Sequence, residues 1–130
     1  MVQNNNLTMD NVLILFCGGT IIMKEVTDEK GEENLAPPED KEESIAMLQS
    51  IAPELNIQPS NIAYVDSIDS TEIKPSHWDQ MIDIIHKNYE KYDGFVITHG
   101  TDTLAYTASA LTIGLENIKK PVVITGSQIP

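Results

Sequence analysis

Residues 12–16 read VLILF, an unbroken apolar run that stops at Cys17-Gly18-Gly19. A short run of this kind is typical of a strand buried on both faces, as strands are in the parallel sheets of α/β proteins. Similar runs at 62–65, 94–98 and 122–125 predict three more strands. The chain therefore has four predicted strands.

Helical periodicity fills most of the space between these strands. The first predicted helix buries Ile45, Leu48 and Ala52 on one face and ends at Pro53. The second opens at Pro75, because proline fits the first turn of a helix; its predicted buried face carries Trp78, Met81, Ile82, Ile85 and Tyr89. The third predicted helix runs from about Thr103 to Asn117.

The charged segment from Glu25 to Asp40 lacks an apolar period, and it predicts a long mobile loop. The resulting order is β, loop, α, β, α, β, α, β. Such alternation indicates a doubly wound parallel sheet of the Rossmann or flavodoxin-like type, with right-handed crossovers. A length of 130 residues is suited to one domain.

Composition excludes several function classes. Acidic residues outnumber lysines 20 to 8, and the sequence has no arginine, so the net charge of −12 predicts no nucleic-acid partner. The single cysteine, Cys17, cannot form an internal disulfide, and no His/Cys cluster has metal-ligand spacing, so no metal and no cofactor is predicted. The apolar runs are too short to span a membrane, and the polar start of the chain lacks the basic segment of a signal peptide. We therefore predict a cytoplasmic protein without a membrane partner.

Ligands bind doubly wound sheets outside the carboxyl ends of the strands. In this chain those ends are rich in hydroxyl and carboxylate groups: Cys17–Ile21, Asp66–Ile73, His99–Thr103 and Gly126–Pro130.

Thr20 follows the first strand at the tip of Gly18-Gly19-Thr20, where two glycines permit a sharp turn. The Gly-Lys-Ser/Thr ending of the commonest phosphate loop is absent. The Thr20 hydroxyl is therefore interpreted as a nucleophile or binding group, with a helix-capping role as the alternative.

Thr101 and Asp102 place a hydroxyl and a carboxylate together after the third strand. The carboxylate is suited to bind an ammonium group or to take part in proton transfer, and capping of the next helix is the alternative. Neighbouring His99 is interpreted as a packed, hydrogen-bonded residue. After the second strand, Ser70-Thr71-Glu72 offers hydroxyls for a carboxylate and a carboxylate for an ammonium group; an ordinary polar turn is the alternative.

Four segments in order carry a family resemblance: LFCGGTI at 15–21, the loop at 69–78, GFVITHGTDTLAYTASA at 94–110 and PVVITGSQIP at 121–130. Together they resemble the amino-terminal domain of the bacterial L-asparaginase family, most closely its cytoplasmic type I branch. The resemblance covers nearly the whole chain and implies a fold in which a second domain normally follows.

The resemblance implies an amidohydrolase that converts asparagine and water to aspartate and ammonia through a threonine acyl-enzyme, without a cofactor. Thr20 matches the nucleophile. Thr101 and Asp102 match two members of a Thr–Lys–Asp group, with Asp102 also binding the α-ammonium. The other implied substrate contacts come from Ser70, Thr71, Glu72 and the backbone near Ser127.

The sequence departs from the family pattern at three places. The family's catalytic lysine lies beyond residue 130 together with the second domain, and none of the eight lysines here matches it. Leu35 stands where the family has a tyrosine, and Thr71-Glu72 replaces a serine followed by Asp, Asn or Gln. We therefore expect the chain to be part of a longer protein, homo-oligomeric at full length, and to turn over poorly by itself.

Three alternatives remain open at the level of sequence. One is a subunit of a tRNA-dependent amidotransferase, and another is an amidase that acts on glutamine. The third is a non-catalytic acidic receiver-type module, which the missing acidic pair after the first strand disfavours.

Overall fold

The computed structural model describes residues 11–18, 23–36, 38–65 and 72–127. Their helices and strands follow in chain order: β1 (Val12–Phe16), β2 (Lys24–Thr27), β3 (Glu33–Ala36), α1 (Lys41–Ile51), β4 (Ile62–Tyr64), α2 (Pro75–Asn88), β5 (Gly94–Thr98), α3 (Leu104–Gly114) and β6 (Val122–Thr125).

Four of these strands form a parallel sheet in the order β4-β1-β5-β6. Counting the parallel strands alone, the order is 2-1-3-4, which begins as the flavodoxin-like order does. The chain moves from β1 to one side and then returns past it to the other side. This reversal confirms the predicted doubly wound architecture.

Helices cover the two faces of the sheet because β1 alternates its apolar side chains between them. Ile14 and Phe16 pack on the α1 side with Ile45 and Leu48. Leu13 and Leu15 pack on the opposite side with a second cluster contributed by α2, α3 and β5: Met81, Ile85, Phe95, Ile97, Leu111 and Leu115. Burial on both faces is the reason that β1 is apolar at every position.

The expectation of a long loop at 25–40 is wrong for most of that segment. Strands β2 and β3 form an antiparallel hairpin, with Lys24 opposite Ala36 and Thr27 opposite Glu33. The Asp28 carboxylate accepts the backbone N–H groups of Lys30 at 2.8 Å and Glu32 at 2.9 Å, which closes the turn. Most of the hairpin faces solvent, so no apolar period marks it in the sequence.

Ionic contacts attach this hairpin to α1. The Lys24 ammonium lies 2.7 Å from Glu43 Oε1 and 3.3 Å from Glu39 Oε1. The hydrogen bond from Lys24 lowers the pKa of Glu43, and the same bond raises the pKa of Lys24. Leu35, which stands in place of the family's tyrosine, lies on β3 and is 46% exposed.

The helices occupy the expected places with different ends. α1 begins earlier than its apolar residues indicate, because the Asp40 carboxylate caps it by accepting the Glu43 N–H at 2.8 Å. α2 begins at Pro75, as predicted. α3 ends at Gly114 rather than Asn117, which has a left-handed φ of 56°.

Candidate functional site

The carboxyl ends of β1 and β5 form the centre of the candidate site. These strands are neighbours, with Phe16 opposite Thr98, and the Cys17 N–H continues the pairing to the Thr98 carbonyl at 3.1 Å. The chain direction reverses between them, since β4 lies beyond β1 and β6 lies beyond β5. In doubly wound sheets this switch point opens the crevice in which ligands bind.

The turn after β1 depends on Gly18. This residue is buried and has a φ of 76°, a left-handed backbone conformation that glycine adopts without steric cost. It directs the chain out of the sheet toward Gly19 and Thr20. Thr20 itself lies outside the described residues, as do Ser70 and Thr71.

Thr101 and Asp102 lie directly after β5 and are both exposed. The capping alternative does not account for them, because Thr103 is the N-cap residue of α3. Within the described part of the chain, neither of their side chains forms a hydrogen bond or an ion pair. A hydroxyl and a carboxylate at the switch point therefore face solvent, in position to bind a polar ligand.

The end of β6 packs closely against this turn. A Cβ atom placed on Gly126 would lie 2.6 Å from the His99 carbonyl oxygen and 3.2 Å from Thr101 Cγ2. Absence of a side chain at Gly126 is what permits this approach. The structure thus brings half-buried Ser127 within one residue of the Thr101 turn.

Glu72 precedes α2 and is exposed. Among the described residues, no hydrogen bond or ion pair joins it to Thr101 or Asp102. Of the four candidate residues that the structure describes, Thr101, Asp102 and Ser127 are therefore grouped, whereas Glu72 has no contact that connects it to them.

His99 is completely buried, as the sequence analysis expected. Its Nδ1 lies 2.6 Å from the Gly100 carbonyl oxygen, and its Nε2 lies 2.8 Å from the Thr107 hydroxyl on α3. The Thr107 hydroxyl also accepts the indole N–H of Trp78, from the first turn of α2, at 2.9 Å. The sequence analysis did not find Thr107, and it treated Trp78 only as a core residue.

Lysines contact other parts of the described structure. Lys24 pairs with Glu39 and Glu43, Lys87 pairs with Asp83, and the Lys120 ammonium binds backbone carbonyls of Tyr89 and Tyr92. In residues 11–18, 23–36, 38–65 and 72–127, no lysine forms an ion pair with Asp102. A cation for the Thr101–Asp102 pair is therefore not supplied by this part of the chain.

The described residues also bear on two other classes of site. Among them, no group of three or more His, Cys, Asp or Glu side chains is placed to hold a metal ion. No described helix is both long and apolar enough to cross a membrane.

Comparison with known proteins gives consistent matches. L-asparaginase 1 of Escherichia coli is 55% identical over 67 residues, which are 52% of this chain and 20% of that protein. One of the subunits of the glutamyl-tRNA(Gln) amidotransferase of Saccharolobus islandicus is 38% identical over 131 residues, 96% of this chain and 27% of its own. The crystal structure of L-asparaginase I from Vibrio cholerae is 40% identical with a TM-score of 0.70, over 92% of this chain and 34% of the other.

The chain thus spans about a fifth to a third of the length of these relatives. The model of the N-terminal asparaginase domain matches residues 11–130. With the parallel sheet in place and Thr101 and Asp102 exposed at its switch point, the conclusion is that this chain belongs to the asparaginase family and carries its N-terminal domain.

Proposed function

We propose that this chain forms the substrate-binding part of an amidohydrolase site that converts asparagine and water to aspartate and ammonia. The observation that carries the proposal is the exposed Thr101–Asp102 pair at the switch point, without a partner among the described residues. A carboxylate in that position favours a ligand ammonium group, which an amino acid substrate has and a simple amide lacks.

Thr20 is the proposed nucleophile. Its hydroxyl oxygen attacks the side-chain amide carbon, ammonia leaves with the transferred proton, and water then hydrolyses the ester to release aspartate. Thr101 is the second hydroxyl of the site, and Asp102 binds the α-ammonium. The position of Gly18, whose turn leads from β1 toward the crevice, supports this assignment of Thr20.

Further substrate contacts are proposed at the two flanking strand ends. Ser70, Thr71 and Glu72 bind the α-carboxylate and α-ammonium groups, and backbone near Ser127 approaches the amide. Close packing of Gly126 on the Thr101 turn supports the assignment to Ser127.

Binding and turnover are expected to differ strongly in the 130-residue chain. The groups proposed to bind the amino acid belong to this chain, whereas no lysine of the described residues pairs with Asp102. Loss of one member of a catalytic group that acts as a unit lowers the rate by orders of magnitude. We therefore expect the chain to bind aspartate and to release ammonia from asparagine very slowly.

Calorimetric titration with aspartate tests the binding site. We expect Asp102→Asn to weaken aspartate binding by about 10- to 100-fold, the effect of losing a hydrogen bond to a charged group. Asp79→Asn is the matched control, since Asp79 is an exposed carboxylate on α2. Equal affinities of the wild type and Asp102→Asn for aspartate would contradict the proposal.

A glutamine-directed amidase is the second candidate function. It is favoured by the amidotransferase relative, whose match covers 96% of this chain. The net charge of −12 and the absence of arginine disfavour contact between this part of such a protein and tRNA. Affinity for aspartate compared with glutamate separates the two candidates, because the products differ by one methylene, worth about 1–3 kcal/mol in a fitted pocket.

A cytoplasmic location and homo-oligomerisation of the full-length protein complete the proposal. Burial of the single cysteine supports a reducing environment. Two side chains on α3 support a protein–protein contact, since Ile113 is 77% exposed and Tyr106 is 68% exposed. Light scattering of the full-length protein after size exclusion tests the assembly, and a strict monomer would contradict it.

A further inference from the structure

Thr107 differs from the other hydroxyl residues of α3 in the direction of its hydrogen bonds. Ser109 and Thr112 donate to the carbonyl four residues earlier, Ala105 and Ala108, which is the usual local bond of such residues in helices. The Thr107 hydroxyl instead meets His99 Nε2 and the Trp78 indole.

The partners fix the direction of every bond in this cluster. A carbonyl oxygen only accepts, so the proton of the bond between His99 and Gly100 is on Nδ1. The Trp78 indole nitrogen only donates, so Thr107 accepts from it and uses its own hydrogen toward His99. In the neutral imidazole the remaining nitrogen, Nε2, is the acceptor that this hydrogen requires.

A directed series of bonds therefore runs from Trp78 through Thr107 and His99 to the Gly100 carbonyl; we call these four residues the polar chain. His99 and Thr107 are completely buried. Burial makes each bond costly to lose, because an unpaired polar group has no access to water.

The polar chain joins three elements at the candidate site. Trp78 belongs to the first turn of α2, Thr107 to the first turn of α3, and His99 to the end of β5. Gly100, which receives the last bond, immediately precedes Thr101 and Asp102. The series thus connects the turn after β5 with the start of the helix that follows the Ser70–Glu72 segment.

We propose that His99 is a positioning residue, which through the polar chain holds the Gly100–Thr103 turn and so fixes Thr101 and Asp102 for an amino acid ligand. The effect on ligand binding rests on the proposed function, whereas the effect on the turn does not. His99 acts through Gly100 and does not touch the ligand.

Three variants isolate this role. Thr107→Val removes the hydroxyl with little change of shape, Thr107→Ser restores the hydroxyl, and Trp78→Phe removes only the outermost donor. Thr112→Val is the matched control, because it deletes an exposed threonine hydroxyl from the same helix. Circular dichroism checks that each variant is folded, and Trp78→Phe serves if Thr107→Val is not.

The first measurement uses the ligand-free chain. Long-range proton–nitrogen spectra of the wild type should show His99 protonated at Nδ1 and unprotonated at Nε2, and the reverse tautomer would overturn the proposal. Backbone ¹⁵N order parameters of residues 100–103 should fall from about 0.85 toward about 0.6 in Thr107→Val. Thr107→Ser should recover the wild-type values, and Thr112→Val should retain them.

The second measurement is aspartate affinity. We expect Thr107→Val to weaken binding by about tenfold, with recovery in Thr107→Ser. A purely structural role predicts instead that order parameters stay at the wild-type values in every folded variant, and that result overturns the proposal. If the wild type binds no aspartate, the proposed function fails, while the order parameters still decide the role of His99 in the turn.

Discussion

At the scale of single residues, Gly126 controls how closely the end of β6 approaches the turn after β5. We expect Gly126→Ala to lower the free energy of unfolding by about 1–3 kcal/mol, the usual cost of overpacking. The reason is that the new Cβ would lie 2.6 Å from the His99 carbonyl oxygen, a backbone atom next to a strand-pairing N–H. Urea unfolding measures this change.

Gly94→Ala is the control at the same scale. Its Cβ would meet the Pro121 ring at 3.3 Å, a contact that small shifts relieve. We therefore expect a smaller loss of stability than for Gly126→Ala. If the two variants unfold at the same urea concentration, close backbone approach does not distinguish the two glycines.

At the scale of elements, the charge on Glu43 anchors the β2–β3 hairpin to α1. Since the Lys24 hydrogen bond lowers the pKa of Glu43, the added stability is present above the ordinary value of 4.5 and is lost as pH falls through the lower folded pKa. For Lys24, whose pKa is raised from 10.5, the stability is present below that value and is lost at higher pH. The anchor is therefore intact between these limits.

We expect order parameters of residues 24–36 to fall as the wild type is acidified below pH 4.5. Glu43→Gln should show the lower values at neutral pH already, without this pH dependence. Glu39→Gln is the control, because that carboxylate is 83% exposed and lies farther from Lys24. A similar effect of both variants would locate the anchor elsewhere.

At the scale of the whole molecule, the net charge of −12 opposes folding through self-repulsion. Nine of the 20 acidic residues lie in residues 25–43, on the hairpin and the start of α1. Raising the salt from about 0.01 M to about 0.1 M shortens the Debye length from about 30 Å to about 10 Å. We expect Tm to rise over this range, although the Lys24–Glu43 contact weakens, because repulsions outnumber ion pairs.

Differential scanning calorimetry measures this rise, on a scale where about 1 kcal/mol corresponds to about 4 °C. The double variant Glu25→Gln/Glu29→Gln lowers the negative charge by two exposed carboxylates and should reduce the salt dependence of Tm. A Tm that falls with added salt would show that attractive pairs dominate instead.

The sequence by itself determined the parallel sheet, the order of its helices and the strand ends at which Thr101 and Asp102 lie. Each of these features depends on residues that are contiguous in the chain, since an apolar run or a helical period reports burial on one or both faces. The hairpin escaped prediction because its strands face solvent and therefore carry no apolar pattern. Its only local mark is the turn that Asp28 closes.

Only the tertiary structure decided which polar groups meet. The bonds from Trp78 to Thr107 and from Thr107 to His99 join three separate elements, and no spacing rule relates positions that distant helices and strands bring together. The approach of Gly126 to the His99 carbonyl likewise follows from the pairing of β6 with β5. Local patterns determine which face of an element is buried, whereas contacts between distant residues depend on how the elements pack.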